Sequence, residues 1–189
     1  MNRVTGILLA AGAGRRFGAH KLLQPLAGGE PIGIAAGRSL IAALPDSVAV
    51  VRSGDRVLAE ALAALGLRIQ EHPGAAQGMG TSIAAGIAAS PDATGWLIAL
   101  GDMPWVRPET TRALAEALAR GAPLVAPWHG GRRGHPVGFS AAWRDRLLAL
   151  DGDRGARDLI AAQGAGLVLV PTTDPGVLRD VDHPGDLTG

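Results

Sequence analysis

Short apolar runs alternate along this chain with stretches rich in alanine and leucine, and this alternation is the strongest constraint on its fold. A strand buried on both faces has a continuous apolar sequence, and the intervening stretches are long enough for helices. The pattern predicts the α/β class, with a mostly parallel sheet and helices on both faces. The expected strands are 4–10, 47–52, 67–70, 96–100, 123–127, 136–139 and 167–170, and the expected helices are 31–44, 55–65, 81–89 and 108–120, with further helices capped near Ser140 and Asp153. A polar loop is expected over 71–80, and a basic turn before residue 136.

Composition bounds the number of domains and the classes of partner. The 189 residues, 47% of them hydrophobic, suffice for one full core, so a single domain over 1–189 is expected. A formal net charge of +1 creates no global field that would attract nucleic acid or an acidic membrane, and neither is expected as a partner. The lack of cysteine excludes disulfides, thiolate metal sites and thiol catalysis. No apolar run is long enough to span a bilayer or to form a leader before the first strand, so a cytoplasmic location is expected.

A glycine-rich loop with three cations follows the first expected strand. Open α/β sheets bind their ligands at the carboxyl ends of strands, and glycines there let backbone amides approach an anion. The loop differs from a P-loop because Leu22 follows Lys21, and from a dinucleotide fingerprint because arginine replaces the third glycine. The pattern predicts phosphate binding; the alternative is a glycine-rich turn with solvated basic residues. The segment reads Leu9-Ala10-Ala11-Gly12-Ala13-Gly14-Arg15-Arg16-Phe17-Gly18-Ala19-His20-Lys21.

Two acidic segments are candidates for a divalent metal site. The apolar strand 96–100 delivers Asp102 to the same sheet edge as the glycine-rich loop, and a divalent cation on nucleotide phosphates typically uses one or two carboxylates. The alternative role of Asp102 is to cap the turn before Pro104. Near the carboxyl terminus, Asp180 and Asp182 share a face if the segment is extended, and one of them could complete the site. The alternative there is a solvated acidic turn.

Two further loops are candidates for contact with substrates. The segment 77–82 turns backbone amides toward a ligand and places Thr81 or Ser82 at a helix N-terminus, which suits a base or ribose hydroxyls; a glycine turn with a helix cap explains it equally well. The segment 130–139 combines two guanidinium groups with His135, which suits an anionic substrate such as a phosphate. We expect His135 to orient that substrate rather than to transfer protons.

Taken in order, these motifs resemble those of the molybdenum cofactor cytidylyltransferases and their immediate relatives, over nearly the whole chain. The resemblance implies a single three-layer, Rossmann-like nucleotidyltransferase fold. It also implies that CTP and the molybdopterin cofactor react to give molybdopterin cytosine dinucleotide and pyrophosphate. The related guanylyltransferases usually have glycine where this chain has Ala11, which favours cytidine over guanine. The matching segments are 9–21, 78–82, 100–104, 133–137, 152–157 and 180–184.

The same resemblance assigns a role to each matching residue. Residues 1–106 would bind nucleotide and metal and 107–189 the acceptor, with Arg16, Lys21 and Asp102 as the catalytic residues. Asp102 and Asp182 would hold Mg²⁺, and Arg16 and Lys21 would hold the triphosphate. Nucleotide contacts would come from Leu9, Ala10, Ala11, Gly12, Gly14, Arg15, Gly78, Gly80, Thr81 and Ser82. Acceptor contacts would come from Arg133, Gly134, His135 and Pro136.

The last motif departs from that family, since relatives commonly have threonine and glutamate where this chain has His183 and Gly185. Three alternatives stay open at this point: another phosphorylated acceptor, another base such as that of GTP, or a non-catalytic carrier of the molybdenum cofactor. A molybdoenzyme client is a possible partner in either of the cofactor-related functions.

Overall fold

An eight-stranded sheet with helices on both faces runs through the part of the chain described by the computed structural model, which comprises residues 3–12, 20–152, 156, 159–160 and 166–188. The strands are β1 (Val4–Ala10), β2 (Ser47–Arg52), β3 (Arg68–His72), β4 (Gly95–Leu100), β5 (Leu124–His129), β6 (Arg132–Arg133), β7 (Val137–Ser140) and β8 (Leu167–Pro171). The helices are α1 (Ile32–Ala43), α2 (Arg56–Ala64), α3 (Met79–Ala88), α4 (Pro108–Ala119) and α5 (Arg144–Leu148).

The sheet order is β3-β2-β1-β4-β7-β5, with β6 and β8 both paired to β5. Strands β1 to β5 and β8 run in one direction, and β6 and β7 run against them. The predicted mostly parallel sheet is therefore confirmed. The order reverses between β1 and β4, because the chain first builds outward to β3 and then returns to the other side of β1. A reversal of this kind opens a crevice beyond the carboxyl ends of the strands.

Alternate residues of the central strands feed two separate apolar layers. Ile7 packs with α3 and α5 on one face, whereas Leu8 packs with α1 and α2 on the other. Helix α4 covers the neighbouring part of the second face through Leu114, which packs on Leu97 and Val125 of the sheet. This arrangement is the three-layer fold expected from the alternation of strands and helices.

The boundaries differ from the sequence predictions where tertiary pairing decides them. Strand β3 continues to His72, because His72 still pairs with Arg52, and the expected loop over 71–80 contains a 3-10 turn at Pro73–Gln77. The basic turn contains the two-residue strand β6, which pairs with the end of β5. The helix expected near Ser140 is a 3-10 turn, Ala141–Trp143, followed by the short α5. The helix expected near Asp153 lies outside the described residues. Among the residues described, no helix is long and apolar enough to cross a bilayer.

Candidate active site

A cleft of about 490 Å³ opens at the carboxyl edge of the sheet, beyond the ends of β1, β2 and β4. The floor of the cleft is formed by the strand ends and the segments that follow them. One wall is formed by the 3-10 turn Pro73–Gln77 and the first turn of α3. The lining residues are Leu9, Ala11, Gly12, Lys21, Leu22, Arg52, Ala75, Ala76, Gly78, Met79, Ser82, Leu100 and Asp102. The cleft therefore unites residues that lie in four separate sequence segments.

Lys21 points its ammonium at two carboxylates. It begins a 3-10 turn, Lys21–Leu23, in which the buried Leu22 packs into the second apolar layer and fixes the backbone. Its Nζ donates to Oδ2 of Asp102 at 2.9 Å and lies 3.8 Å from Oδ1 of Asp182. The Lys21 side chain is only 13% exposed, so its charge is poorly solvated and is balanced mainly by these acids.

Asp102 and Asp182 are brought together by a backbone hydrogen bond between their segments. Asp102 follows β4 directly, and its carbonyl oxygen accepts from the N–H of Val181 at 2.9 Å. Val181 is fully buried in the second apolar layer, so it anchors the segment that carries Asp182. Both carboxylates therefore contact Lys21, whereas the predicted role of Asp182 in a metal site stays a prediction.

Two other acids of the terminal segment, Asp180 and Asp186, have shifted pKa values. Loss of hydration raises the pKa of Asp180, and the like charges of Asp182 and Asp102 raise it further. Asp186 accepts from the backbone N–H groups of His183 and Asp182, both at 2.8 Å, and these bonds hold its pKa below the ordinary value. Asp186 thus closes a tight turn that begins at Asp182, the residue that contacts Lys21, and this turn orients Asp182.

Asp174 fixes the start of the same terminal segment. It is 2% exposed, and its carboxylate accepts from the N–H of Arg107 at 2.8 Å and the hydroxyl of Thr110 at 2.9 Å, at the beginning of α4. It also accepts from the N–H of Gly176 at 2.9 Å. A single buried carboxylate therefore attaches the segment to α4, and nothing in the sequence pattern distinguished it from the exposed acids nearby.

The wall formed by α3 depends on the backbone of Gly78. This glycine has φ of 131° and ψ of 177°, a conformation that is essentially confined to glycine. The hydroxyl of Thr81 donates to the carbonyl oxygen of Gly78 and lies 3.0 Å from Nε2 of His72, so it holds the loop to the helix. Ser82 lines the cleft, whereas the N–H of Gly80 donates to the carbonyl oxygen of Gly152. Of the two hydroxyls expected to meet the nucleotide, only that of Ser82 belongs to a residue lining the cleft.

The predicted phosphate loop is described at its two ends. Leu9, Ala11 and Gly12 line the cleft, and Ala10 is buried at the end of β1. Gly14, Arg15 and Arg16 lie outside the described residues, and their phosphate contacts stay predictions.

The residues expected to bind the acceptor lie at the same sheet edge but do not line the cleft. Arg133 is exposed in β6. Gly134 packs so closely on the Val177 carbonyl that a Cβ would collide with it, and the N–H of His135 donates to that same oxygen at 2.9 Å. His135 and Pro136 border a separate cavity of about 20 Å³ against α1. They precede β7, so they are on the far side of β4 from the glycine-rich loop.

Sequence reasoning missed Arg52, an exposed residue that lines the cleft. Met79, which also lines it, lies within the predicted segment 77–82 but was given no role of its own. Arg52 ends β2, and an arginine at a strand end resembles any solvated surface cation. Its position beside the β1 loop is visible only once the order β2-β1-β4 is known.

The chain matches one protein family over most of its length. Residues 6–167 match the model of the MobA-like NTP transferase domain. The chain belongs to this family. The match spans the glycine-rich loop, Asp102 and the segment expected to bind the acceptor, and ends before the segment that carries Asp182.

Three relatives of this chain carry different names. The chain is 34% identical to purine catabolism protein PucB of Bacillus subtilis, over 95% of this chain and 91% of that protein. It is 30% identical to nicotine blue oxidoreductase of Paenarthrobacter nicotinovorans, over 95% of this chain and 92% of that protein. It is 32% identical to molybdenum cofactor guanylyltransferase of Rhodobacter capsulatus, over 98% of this chain and 93% of that protein.

Solved structures agree with the family fold. A homologue of Mycobacterium tuberculosis Rv0371c from Mycobacterium sp. strain JC1 is 27% identical, with a TM-score of 0.83 over 98% of this chain and 93% of that one. Rv0371c of M. tuberculosis H37Rv, solved as a complex with manganese, is 25% identical, with a TM-score of 0.76 over 97% of this chain and 95% of that one.

Proposed function

We propose that this protein transfers CMP from CTP to the terminal phosphate of the molybdopterin cofactor, forming molybdopterin cytosine dinucleotide and releasing pyrophosphate. The proposal combines membership of the MobA-like NTP transferase family with the convergence of Lys21, Asp102 and Asp182 at the mouth of the cleft. That convergence is the observation that carries it, because a cation and two carboxylates together are what a metal-bound triphosphate requires.

The donor set at this point fits a hard divalent cation. Two carboxylates already lie close to one positive charge, the ammonium of Lys21. Within the part of the chain that the structure describes, no group of three or more His, Cys, Asp or Glu residues could hold a metal on its own. A Mg²⁺ ion bound by two carboxylates takes its other ligands from water and substrate phosphates. When bound by Asp102 and Asp182, it would neutralise charge on those phosphates.

The other residues act by binding and positioning. Lys21 would move its ammonium from the carboxylates to the triphosphate and balance the charge that builds up on the leaving pyrophosphate. An oxygen of the acceptor's terminal phosphate would attack the α-phosphorus of CTP in line, forming the new P–O bond as the bond to pyrophosphate breaks. The reaction requires no protein nucleophile. Arg16, Arg15 and Gly14 remain predicted phosphate contacts.

Different observations support the proposed identity of the base and that of the acceptor. Ala11, in the position where guanylyltransferases usually have glycine, supports CTP. The relative named molybdenum cofactor guanylyltransferase supports GTP as the second candidate. It also supports the molybdopterin cofactor as the acceptor, with Arg133, Gly134, His135 and Pro136 as its proposed contacts.

Pyrophosphate release tests the proposal directly. The purified protein is supplied with Mg²⁺, molybdenum cofactor and CTP, GTP or ATP in parallel reactions, and the dinucleotide product is identified by mass spectrometry. Release with CTP and not with the others is expected. Release with GTP alone would replace the base assignment and keep the site.

Two variants separate loss of chemistry from loss of fold. Asp102→Asn keeps the size of the side chain and removes one metal ligand, so turnover should fall by at least about 100-fold. Asp92→Asn is the matched control, because Asp92 is an exposed carboxylate at the opposite edge of the sheet, beside Arg3. No pyrophosphate release with any nucleotide and active cofactor would favour a different acceptor or a carrier protein.

A further inference from the structure

Arg52 is a second cation in the cleft that the proposed mechanism does not use. Of the residues the structure describes, Lys21 and Arg52 are the two cations that line it. The Arg52 Nη2 lies 3.5 Å from the carbonyl oxygen of Ala11, a long contact that leaves the guanidinium able to turn to a ligand. Five N–H donors on an exposed, rigid fork therefore face the cleft.

The topology places Arg52 at the opposite end of the cleft from Asp102. Arg52 ends β2 and Asp102 follows β4, and β1 runs between these two strands. Neighbouring strands are about 4.8 Å apart, so the two ends are separated by about 10 Å. A triphosphate held at Lys21 and Asp102 would direct its ribose and base across β1 toward β2.

The surroundings of Arg52 suit a flat ring better than a phosphate. The Pro73–Gln77 turn contributes Ala75 and Ala76 to the same cleft, and α3 contributes the exposed side chain of Met79. Methyl groups and a thioether pack well on an aromatic base and offer no hydrogen bond to an anion. The neighbouring carbonyl of Ala11 would also repel a phosphate.

We propose that Arg52 reads the nucleotide base and selects one that presents two adjacent hydrogen-bond acceptors. This inference rests on the proposed nucleotidyl transfer and adds a specificity-determining residue to it. Cytosine offers the pair N3 and O2, and guanine offers O6 and N7. Adenine places its amino donor beside N7, and uracil places N3–H between its two carbonyls, so neither fits the fork. Arg52 therefore favours CTP or GTP over ATP and UTP.

Calorimetric titration of the whole protein with Mg²⁺ and each of the four nucleoside triphosphates tests this selection. Wild type should bind CTP or GTP at least about 10-fold more tightly than ATP and UTP. Arg52→Met keeps the length of the side chain and removes its donors, so affinity for the preferred nucleotide should fall about 10- to 100-fold while ATP and UTP change less than about twofold. Arg120→Gln, an exposed arginine at the end of α4, is the matched control.

Each other outcome is distinct. An equal loss of affinity for all four nucleotides in Arg52→Met would place the guanidinium on phosphate or ribose and overturn the inference. Preserved selectivity in Arg52→Met, or a wild-type preference for ATP or UTP, would overturn it as well. Arg52→Lys has one donor group and no fork. It should therefore recover only part of the selectivity that Arg52→Met loses. If wild type binds none of the four nucleotides, the proposed function itself fails, and the inference about Arg52 fails with it.

Discussion

Replacing Lys21 by methionine removes the positive charge that Asp102 and Asp182 share, while keeping the apolar stem of the side chain. The hydrogen bond to Asp102 is 2.9 Å long, and the lysine side chain is largely buried. A hydrogen bond to a charged group contributes about 1.5–3 kcal/mol. The longer contact, to the half-exposed Asp182, adds less than about 1 kcal/mol. We therefore expect Lys21→Met to lose about 2 kcal/mol of unfolding free energy.

The same substitution should strengthen binding of a divalent cation to the protein without nucleotide. In wild type the metal has to displace the Lys21 ammonium from the two carboxylates, whereas in the variant they face each other without a cation between them. A ligand that binds only the folded state stabilises it in proportion to the logarithm of its concentration over Kd. Millimolar Mn²⁺ should therefore raise the melting temperature of Lys21→Met more than that of wild type.

Thermal unfolding at neutral pH, with and without Mn²⁺, measures both effects. For a chain of this size, a loss of 2 kcal/mol lowers the melting temperature by about 4–8 °C. Lys21→Arg, which keeps the charge, should show little of either effect, and electron paramagnetic resonance of free Mn²⁺ gives the affinity independently. Equal stabilisation of wild type and Lys21→Met by Mn²⁺ would refute the reasoning, because it would mean that the ammonium and the metal do not compete.

Three further substitutions test how the site is supported. Asp174→Ala leaves three donors without their acceptor, two of them buried and the N–H of Arg107 partly buried, and should cost about 2–4 kcal/mol in urea unfolding. Asp145→Ala at an exposed position should cost little, and similar midpoints for the two variants would contradict the anchoring role. Gly78→Ala forces a side chain into a backbone conformation confined to glycine, so it should raise the Kd for nucleotide at least about fivefold with the fold retained. Gly28→Ala, with no atom near its Cβ, should leave this Kd unchanged. Equal Kd values for the two variants would contradict the role of Gly78 in shaping the cleft wall. Because two backbone amides lower the pKa of Asp186, its stabilising effect is complete above the ordinary carboxyl pKa and is lost as pH falls through the lowered folded-state pKa. Asp186→Asn should therefore weaken the acid dependence of the melting temperature below about pH 4, and an unchanged profile would exclude this contribution.

The sequence was sufficient to predict the strands and helices whose buried residues form a clear apolar pattern. Strand β2 begins and ends where its apolar run does, and α4 begins at the expected Pro108. The direction of β7 was not predictable, because four residues carry no signal of orientation. Strand β7 runs antiparallel because the turn at Gly130 and Gly131, both with positive φ, sends the chain back along β5. That turn sets the side of the sheet edge on which His135 lies.

One rule explains the part of the candidate site that could be predicted: open α/β sheets bind their ligands at the carboxyl ends of the strands. Lys21 and Asp102 are 81 residues apart, yet both follow strands of one parallel sheet, so their meeting follows from the shared carboxyl edge. Asp182 does not follow a strand, and its position depends on Val181 packing into the core, which the sequence suggested only through a family resemblance. Arg52 obeys the same edge rule as Asp102. It was missed because the rule selects positions, whereas the sequence reasoning selected residue types that were already linked to phosphate or metal.

The strand order gives Asp102 a particular place along this edge. On one side of β4 lie β1, β2 and the α3 wall, which form the cleft proposed for the nucleotide. On the other side of β4 lie β7 and β5. Residues 133–136 lie beyond the ends of these two strands, together with Val177, whose carbonyl oxygen accepts from the N–H of His135. Transfer requires the α-phosphate and the attacking phosphate to meet, and the boundary between these two halves is the place where each substrate would end. Asp102 stands at that boundary, and the hydrogen bond from Val181 to its backbone brings Asp182 to it from the second half. A carboxylate at the reversal of strand order can therefore serve both substrates, which is why we expect Asp102→Asn to lower turnover far more than it lowers the affinity for either substrate alone.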